Sequence, residues 1–370
     1  MKAEVAIVGN GVAGYSCAAK LARHGIRPLL VGRGLPVDRP PLTKNALAAG
    51  AVRLLADEPR LEALGVDRLD AMVDEADLHS GRLVAGDTEV EAGTIVLATG
   101  LVYRPPRIPG MDAAHVNATP GGMTRLVAAL RDAPKRIAVV GAGLIGTETA
   151  ATLAVAGHDV TALDALDRPL DRLHEPLPAL AAEALASTGA RFVGGAEILE
   201  LRTAGEDGLV TLCCNEGTLA ADVVVAATGG RSVVPPGLPR DAELPLTVDA
   251  DLRVSGLERV HAVGDVILAP HARFGPIRFP HWDMAIATGE RAADAIAGVA
   301  GELDRLPYWW TDIGPRALAE VGWADAAVEW HEEDGIHVGR DVGGEVVAAL
   351  VVDDPRRLRA ARALVESARF

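Results

Sequence analysis

The sequence predicts an α/β fold made of two similar units, followed by a smaller α+β unit at the C-terminal end. Two observations lead to this prediction. The first is an internal repeat, in which the segment Val5–Gly14 reappears as Ile137–Gly146 at a constant offset. The second is a change of pattern after Gly298, where alternating apolar segments are typical of antiparallel strands and Pro355–Ser367 is typical of a helix.

Each copy of the repeat contains an apolar strand, a glycine-rich turn, an alanine-rich helix and a second apolar strand. In such a unit the first glycine permits a tight turn, the second lets a pyrophosphate approach the backbone, and the third allows close helix–strand packing. The helix N-terminus then offers free N–H groups to phosphates. Two copies at one offset indicate two Rossmann-like dinucleotide-binding domains. The glycines are Gly9, Gly11 and Gly14 in the first copy and Gly141, Gly143 and Gly146 in the second.

Each unit is closed by a later buried strand that ends in Thr-Gly. Thr99-Gly100 ends the first of these strands, and Thr228-Gly229 ends the second. At such an end a backbone can come close to a ligand. A third apolar strand ends in Gly264-Asp265, which places a carboxylate where it can accept a hydrogen bond from a sugar-like hydroxyl.

The two units differ at the position where an acidic residue is expected to bind the adenosine ribose. The second unit has Asp164 there, and its carboxylate would repel a 2′-phosphate, so we expect this site to prefer NADH. The first unit has Gly32 instead, followed by Arg33. Two interpretations of Arg33 stay open: it faces the adenine or a phosphate, or it is a surface arginine without a ligand.

Composition excludes several classes of protein. The 370 residues carry a net charge of −15, which disfavours nucleic-acid binding. The three cysteines, Cys17, Cys213 and Cys214, have neither disulfide-scaffold nor metal spacing. The chain opens without a signal peptide's apolar core, and no apolar run reaches the roughly 18 residues of a membrane span. We therefore expect a cytoplasmic protein with no membrane partner and no metal site.

Beyond these patterns, two motifs resemble those of a known family. Asp38–Lys44 and Leu306–Asp312, together with the double glycine turn, resemble signatures of the FAD-dependent ferredoxin and rubredoxin reductases. These are flavoproteins with two dinucleotide-binding domains of the glutathione-reductase-like fold, and they include reductase components of aromatic-ring dioxygenases and cytochrome P450 systems. The resemblance implies the domain boundaries 1–109 and 235–301 for an interrupted FAD domain, 110–234 for an NADH domain, and 302–370 for a C-terminal domain.

The resemblance also implies the cofactor-binding residues. FAD is expected at Gly9, Gly11, Gly14, Arg39, Pro41, Lys44, Thr99, Gly100, Asp265, Trp282 and Ala285. NADH is expected at Gly141, Gly143, Gly146, Glu148, Asp164 and Gly229.

Three residues are predicted by this resemblance to act in catalysis. Lys44 and Glu148 are expected to pair where flavin and nicotinamide meet, and Trp310 is expected to border the flavin ring. The alternative interpretations are a solvated loop lysine for Lys44 and a helix first-turn acid for Glu148. All five tryptophans lie late in the chain, and we expect Trp323 and Trp330 to pack inside the C-terminal domain.

These expectations favour an NADH-dependent reductase that takes hydride onto flavin N5 and passes single electrons to a ferredoxin-type iron–sulfur protein. The loop 35–45 lacks a cysteine, which disfavours thiol chemistry. Arg356, Arg357, Arg359 and Arg362 form a basic cluster that either steers an acidic ferredoxin or is a solvated helix face.

Other functions stay open. In Arg278–Trp282 the acid usual in the family is missing, so His281 either stands in for it or is structural, and a small-molecule acceptor such as a quinone is an alternative. A third hypothesis is an NADH-responsive interaction protein. Both a monomer and a homodimer are compatible with the sequence.

Overall fold

The computed structural model describes residues 1–131, 134–202 and 209–368. The first elements follow the predicted order of apolar strand, glycine turn, helix and apolar strand. They are β1 (Lys2–Val8), α1 (Val12–Arg23), β2 (Leu29–Val31), α2 (Asn45–Ala49), α3 (Glu58–Leu64), β3 (Asp67–Leu69), β4 (Val73–Asp77), β5 (Arg82–Ala85), β6 (Thr88–Leu97) and β7 (Leu101–Tyr103).

Six of these strands form the first sheet in the order β3-β2-β1-β6-β5-β4. At its centre β1 is parallel to both β2 and β6, so that Val8 lies opposite Val31 and Leu97. The last four residues of β1 are apolar and buried, as expected for the central strand of a parallel sheet that is covered on both faces. This arrangement brings the carboxyl ends of β1 and β6 together at one edge.

The repeat builds a second parallel sheet in the order β10-β9-β8-β14, and β11, β12 and β13 form a separate antiparallel sheet. The elements of this region are α4 (Pro120–Ala129), β8 (Arg136–Val140), α5 (Leu144–Val155), β9 (Asp159–Leu163), α6 (Leu177–Ser187), β10 (Arg191–Val193), β11 (Ile198–Arg202), β12 (Val210–Cys214), β13 (Gly217–Ala221), β14 (Val223–Ala226) and β15 (Gly230–Ser232).

The next part of the chain returns to the first sheet. Its elements are β16 (Leu246–Thr247), β17 (Val260–Ala262), β18 (Ile267–His271), β19 (Gly275–Ile277) and α7 (Trp282–Ile296). Strand β17 is parallel to β6, with Val260 opposite Ile95. Helix α7 packs closely against α1. A Cβ on Gly289 would lie 2.4 Å from the carbonyl oxygen of Ala13, so this close packing requires a glycine. The residues that precede the second unit in sequence and those that follow it therefore share one core, around the first sheet.

The last region is an antiparallel sheet in the order β20-β21-β24-β23-β22, with one helix against it. Ala361 and Val365 of that helix are buried in the sheet's core. The elements are β20 (Tyr308–Ile313), β21 (Arg316–Gly322), β22 (Glu329–Glu333), β23 (Ile336–Arg340), β24 (Val346–Val352) and α8 (Leu358–Ser367). No helix among the described residues is long and apolar enough to cross a membrane.

Two strands connect the first and second sheets near the carboxyl ends of their central strands. β7 follows Gly100 and β15 follows Gly229, and the two strands pair antiparallel with Tyr103 opposite Gly230. A Cβ on Gly230 would lie 2.9 Å from the Cβ of Leu101, so this close pairing requires a glycine. The Thr-Gly ends of the two repeated units are consequently held side by side.

The expectation that Trp323 and Trp330 pack inside the C-terminal unit is wrong. Trp323 packs against the core of the first sheet, with its ring centroid 6.0 Å from that of Phe279. Trp330 stacks on His174 of the second unit, with ring centroids 3.8 Å apart. One face of the C-terminal antiparallel sheet packs against the first and second units. Both tryptophans therefore lie at boundaries between units.

Truncation of a residue in the first core tests this packing. Leu30 in β2 is fully buried, so we expect Leu30→Ala to lower the free energy of unfolding by about 2–5 kcal/mol. The control is Val342→Ala, because Val342 is 91% exposed and its truncation should change stability by less than about 0.5 kcal/mol. Urea unfolding of both variants checks the difference, and equal effects would contradict the assigned core.

Candidate active site

A cavity of about 1190 Å³ lies between the first sheet, the second sheet and the C-terminal sheet. We call it the central cavity. It is lined by residues that the sequence assigned to two different nucleotides and to catalysis. The predicted site residues in its wall are Arg39, Lys44, Gly141, Gly143, Glu148, Asp164, Gly229, Asp265, Trp282, Ala285 and Trp310.

The first glycine turn has the geometry that each of its glycines requires. Gly9 has a φ of +115°, and a Cβ there would lie 2.2 Å from the carbonyl oxygen of Ala98 in the neighbouring strand end. A Cβ on Gly14 would lie 2.0 Å from the carbonyl oxygen of Gly9, which fixes the approach of helix α1. A Cβ on Gly11 would meet nothing within 4 Å. The middle glycine therefore faces open space at a helix N-terminus that has no side-chain cap.

The second glycine turn repeats this arrangement. A Cβ on Gly141 would lie 2.6 Å from the carbonyl oxygen of Ala227, and one on Gly146 would lie 1.8 Å from that of Gly141. Gly143 again faces open space, and helix α5 begins there without a side-chain cap. Both turns thus leave uncapped backbone N–H groups beside an open space, which is the arrangement that binds phosphate oxygens.

Asp164 lies against the second glycine turn at the end of β9. Its Oδ2 accepts a hydrogen bond from the backbone N–H of Ala142 at 2.6 Å, and its Oδ1 accepts from that of Leu166 at 2.9 Å. These bonds fix the carboxylate in the cavity wall and leave one lone pair on each oxygen for a further donor.

Glu148 of helix α5 is buried, and both of its carboxylate oxygens accept hydrogen bonds. Thr43 donates to Oε2 at 2.5 Å and Thr311 donates to Oε1 at 2.5 Å. Lys44 lies 3.1 Å from Oε1. Thr43 lies between β2 and α2 of the first unit, Glu148 lies in α5 of the second unit, and Thr311 lies in β20 of the C-terminal sheet. The Glu148 carboxylate therefore joins all three regions of the chain.

Opposing effects act on the pKa of the Glu148 carboxyl. Burial raises the pKa of Glu148, while the charge of Lys44 and the bonds from Thr311 and Thr43 oppose that rise. Lys44 has a second partner, because its Nζ lies 2.9 Å from Asp312 Oδ2. The same Nζ lies 5.5 Å from the centre of the Trp310 ring, within the range of a cation–π interaction. Lys44 is therefore held in the cavity rather than solvated in a loop.

Aromatic rings form one wall of the central cavity. The rings of Trp282 and Trp310 meet edge to face at 87°, with centroids 5.8 Å apart. On its other side Trp310 lies 5.8 Å from Tyr308, nearly parallel at 19°. The guanidinium of Arg362 in α8 lies 5.7 Å from the centre of the Tyr308 ring. A row of aromatic rings thus leads from the cavity to the basic helix α8.

Two buried polar atoms near the first glycine turn and the cavity have no hydrogen-bond partner among the described residues. They are Thr99 Oγ1, next to Gly9, and Arg278 Nη1 in the cavity wall. Asp265 also lies in the wall, where burial raises its pKa to about 6 against the opposing charges of Arg39 and Arg278. Buried polar groups normally have partners, so this set indicates a polar ligand beside the first glycine turn.

Other predicted residues lie outside the cavity wall. Arg33 is exposed, and Asn10 donates to its carbonyl oxygen at 3.0 Å. Gly100 lies in the short connection between β6 and β7 and has a φ of +60°. Pro41 belongs to a 3-10 turn, and its side chain lies outside the described part of the structure. A ligand role for each of these three residues stays a prediction.

The three cysteines are free, and burial raises the pKa of Cys17 to about 12. Among the described residues, no group of three or more His, Cys, Asp and Glu side chains is placed to hold a metal ion.

The sequence analysis missed several residues of the site. Thr43 and Thr311 flank the predicted motif residues Lys44 and Trp310, and hydroxyls adjacent to a buried ion pair would have been a usable signal. Tyr103 in β7 and Arg278, which follows β19, also line the cavity, but they are distant in sequence. Pattern alone gave no reason to place them together.

Comparisons with known proteins show the family to which the chain belongs. The sequence model of the pyridine nucleotide-disulphide oxidoreductase family matches residues 3–289. The chain is 30% identical to the chlorobenzene dioxygenase ferredoxin reductase component of Cupriavidus sp. (strain PS12), over 100% of this chain and 95% of the relative. It is 28% identical to apoptosis-inducing factor 3 of Homo sapiens over 87% of this chain. The chain spans only 55% of that relative's length.

A solved structure shows the same architecture. The crystal structure of the ferredoxin reductase for the CYP199A2 system from Rhodopseudomonas palustris matches with a TM-score of 0.89 at 25% sequence identity. The match covers 99% of this chain and 95% of that one. The likeness therefore extends through the C-terminal sheet, beyond the residues that the family model matches.

The ion pair in the cavity leads to a stability prediction. Lys44→Met leaves the buried Glu148 carboxylate without its cation, so we expect the free energy of unfolding to fall by about 3 kcal/mol at pH 7. The double variant Lys44→Met/Glu148→Gln should recover most of this loss, because no charge then stays buried. Asp312→Asn, at a half-exposed partner, should cost less than about 1 kcal/mol. Urea unfolding of the variants checks these values, and a double variant as unstable as the single one would contradict them.

Proposed function

Because the chain belongs to the pyridine nucleotide-disulphide oxidoreductase family, on its ferredoxin reductase branch, we propose that it is an FAD-containing NADH reductase of a ferredoxin-type iron–sulfur protein. The observation that supports this function most is the central cavity itself. One continuous space joins the wall below the first unit, at Asp265 and Trp282, to the second glycine turn at Gly143. Two nucleotides that enter from opposite ends would meet over Lys44 and Glu148.

The residues present fit FAD on the first unit. Gly11 faces open space at the uncapped N-terminus of α1, where a pyrophosphate would accept N–H bonds. Thr99 and Arg278 have buried polar atoms that lack hydrogen-bond partners among the described residues. The buried carboxylate of Asp265 would accept hydrogen bonds from ribitol hydroxyls. When bound, FAD supplies a carrier that accepts electrons in pairs as hydride and releases them singly.

Support for NADH on the second unit comes from Gly143 and Asp164. Gly143 offers the same open space beside uncapped N–H groups as Gly11 does. Asp164 is fixed in the wall with free lone pairs, which suits ribose hydroxyls and disfavours a 2′-phosphate through charge repulsion. We therefore propose NADH rather than NADPH as the donor.

In this function the chain's own residues hold charge and exclude water at the junction of the two nucleotides. The ammonium of Lys44 projects beside the Trp310 ring and is positioned by two carboxylates, Glu148 and Asp312. A fixed cation at this point would stabilise negative charge as it develops on a bound ring system. Thr43 and Thr311 donate hydrogen bonds that hold the Glu148 carboxylate in place beside Lys44.

We propose that the acceptor docks on the side of α8. Arg359 of this helix and Arg356 in the turn before it are exposed, and Arg362 of the helix lies over Tyr308, the ring next to Trp310. A basic patch in a chain of net charge −15 would steer an acidic ferredoxin to the point where the aromatic wall reaches the surface. We also propose a cytoplasmic location, which the three free cysteines support.

A small-molecule acceptor is the second candidate, and His281 is the observation that favours it. This residue lies in the cavity wall next to Pro280, the position at which the resembling family carries an acid. Burial lowers the pKa of His281 to about 4, so its ring is neutral at physiological pH. The cavity edge therefore lacks a negative charge that would repel an anionic or quinone-like acceptor.

The two candidates are separated by comparing acceptors under argon. The FAD-loaded protein is supplied with NADH and either a [2Fe–2S] ferredoxin or a small quinone, and reduction of each acceptor is followed by its absorbance. We expect kcat/KM for the ferredoxin to exceed that for the quinone by about tenfold or more. A quinone that is reduced faster than the ferredoxin would establish the second candidate instead.

Substituting the middle glycine of each turn tests which unit binds which nucleotide. The φ values of Gly11 and Gly143 are −68° and −72°, which alanine accepts, and a Cβ at either position meets no protein atom. We expect Gly11→Ala to weaken FAD binding about tenfold or more, and Gly143→Ala to weaken NAD⁺ binding similarly while FAD is retained. Isothermal titration of each nucleotide measures both effects. Loss of FAD from Gly143→Ala alone would reverse the assignment.

Charge reversal on α8 tests the docking side. Arg359 is exposed on this helix, so Arg359→Glu should raise KM for the ferredoxin about three- to tenfold at low ionic strength, with the difference shrinking as salt is added. The matched control is Arg23→Glu, which makes the same charge change at the exposed end of α1. Turnover with ferricyanide should be unchanged in both variants. Equal effects of the two substitutions would place docking elsewhere.

A further inference from the structure

A buried pair between the second unit and the C-terminal sheet has no role in the function proposed above. Glu320 of β21 is 3% exposed, and its Oε2 lies 2.5 Å from His174 Nε2. Its other oxygen, Oε1, accepts a hydrogen bond from Trp309 Nε1 at 2.9 Å. His174 comes from the segment between β9 and α6, so this pair joins two regions that are distant in sequence.

The hydrogen bonds require a charged histidine. The second ring nitrogen of His174, Nδ1, lies 2.8 Å from the carbonyl oxygen of Glu175. A carbonyl oxygen only accepts hydrogen bonds, and so does an ionised carboxylate, so both ring nitrogens carry protons. The ring also stacks on Trp330 at 3.8 Å and 4°, which suits a cation on an indole face.

Electrostatics agrees with this assignment. Burial alone would lower the pKa of His174, but the hydrogen bond and charge of Glu320 reverse that effect, and the pKa is raised overall. The other groups acting on the ring are the Glu175 carbonyl and the charge of Asp325 in the turn after β21, and both also raise the pKa. Arg168, the nearby cation, is already paired with Asp171 and Glu175.

The segment that His174 ends is part of the central cavity wall. It begins at Asp164, which is fixed to the second glycine turn, and it continues through Arg168 to Leu173 in the lining. Asp164 fixes one end of this segment and His174 fixes the other. Between them lies the wall that a nucleotide on the second turn would contact.

We propose that His174 is a positioning residue, whose ion pair with Glu320 fixes this wall segment against the C-terminal sheet and makes binding of the dinucleotide depend on pH. The inference rests on the proposed function in one respect, the binding of NAD(H) to the second glycine turn. A folded-state pKa that is raised means that the contact is present below the ordinary histidine pKa of about 6.5 and is lost as pH rises through the raised value. Dinucleotide affinity should follow the same course.

The experiment uses the FAD-loaded full-length protein and NAD⁺, which binds without reducing the flavin. His174 is titrated through its ring C–H resonance in NMR spectra, assigned by its absence from His174→Gln. The dissociation constant of NAD⁺ is measured from pH 5.5 to 9 by isothermal titration. We expect a His174 pKa above 6.5 and an NAD⁺ affinity that falls about threefold or more over the same pH range.

Two variants make the result specific. His174→Gln keeps a donor for Glu320 but does not titrate, so its NAD⁺ affinity should be independent of pH in this range. His24→Asn is the control, because His24 forms a comparable pair with Asp294 at 2.6 Å, away from the cavity wall. It should keep the pH dependence of the parent.

Three outcomes would overturn the inference. They are a His174 pKa below 6.5, an NAD⁺ affinity in the parent that does not change with pH, and a pH dependence that survives in His174→Gln. Each of these leaves the proposed function intact as long as NAD⁺ binds. Absence of NAD⁺ binding at every pH would overturn both the inference and the donor assignment.

Discussion

The interaction on which the site depends is the burial of the Glu148 carboxylate. Taking a carboxylate out of water costs several kcal/mol, and this cost is offset only when a cation and hydrogen-bond donors are fixed around it. Here Lys44 and Thr43 come from the first region of the chain and Thr311 comes from β20. The acid therefore requires three separate folding regions to meet at one point, and the central cavity is the space that they enclose.

The glycine turns explain why this space stays open. In each turn the outer two glycines are closed in by backbone carbonyls, whereas the middle one faces no atom within 4 Å. The same backbone conformation therefore produces both the tight packing at the outer glycines and the open space at the middle one. The pairing of β7 with β15 then holds the two Thr-Gly ends side by side, and the central cavity extends from the second glycine turn to Asp265 and Trp282.

Much of this arrangement follows from local pattern. The repeat predicted both glycine turns, whereas the resemblance to the ferredoxin reductases implied the partnership of Lys44 with Glu148, whose charged atoms lie 3.1 Å apart. Residues that act through distant contacts were not predicted. Glu320 lies in a strand where a buried carboxylate contradicts the apolar pattern, and only the fold brings His174 and Trp309 to it. Trp330 was misassigned for the same reason, since its partner lies in another region.

The most direct test of the account is whether the two nucleotides meet in the central cavity. The FAD-loaded protein is mixed rapidly with one equivalent of NADH under argon, and the visible absorbance band of the flavin is followed in time. We expect full bleaching by one equivalent in a single enzyme-bound step. A flavin that keeps its absorbance in the presence of bound NADH would contradict it.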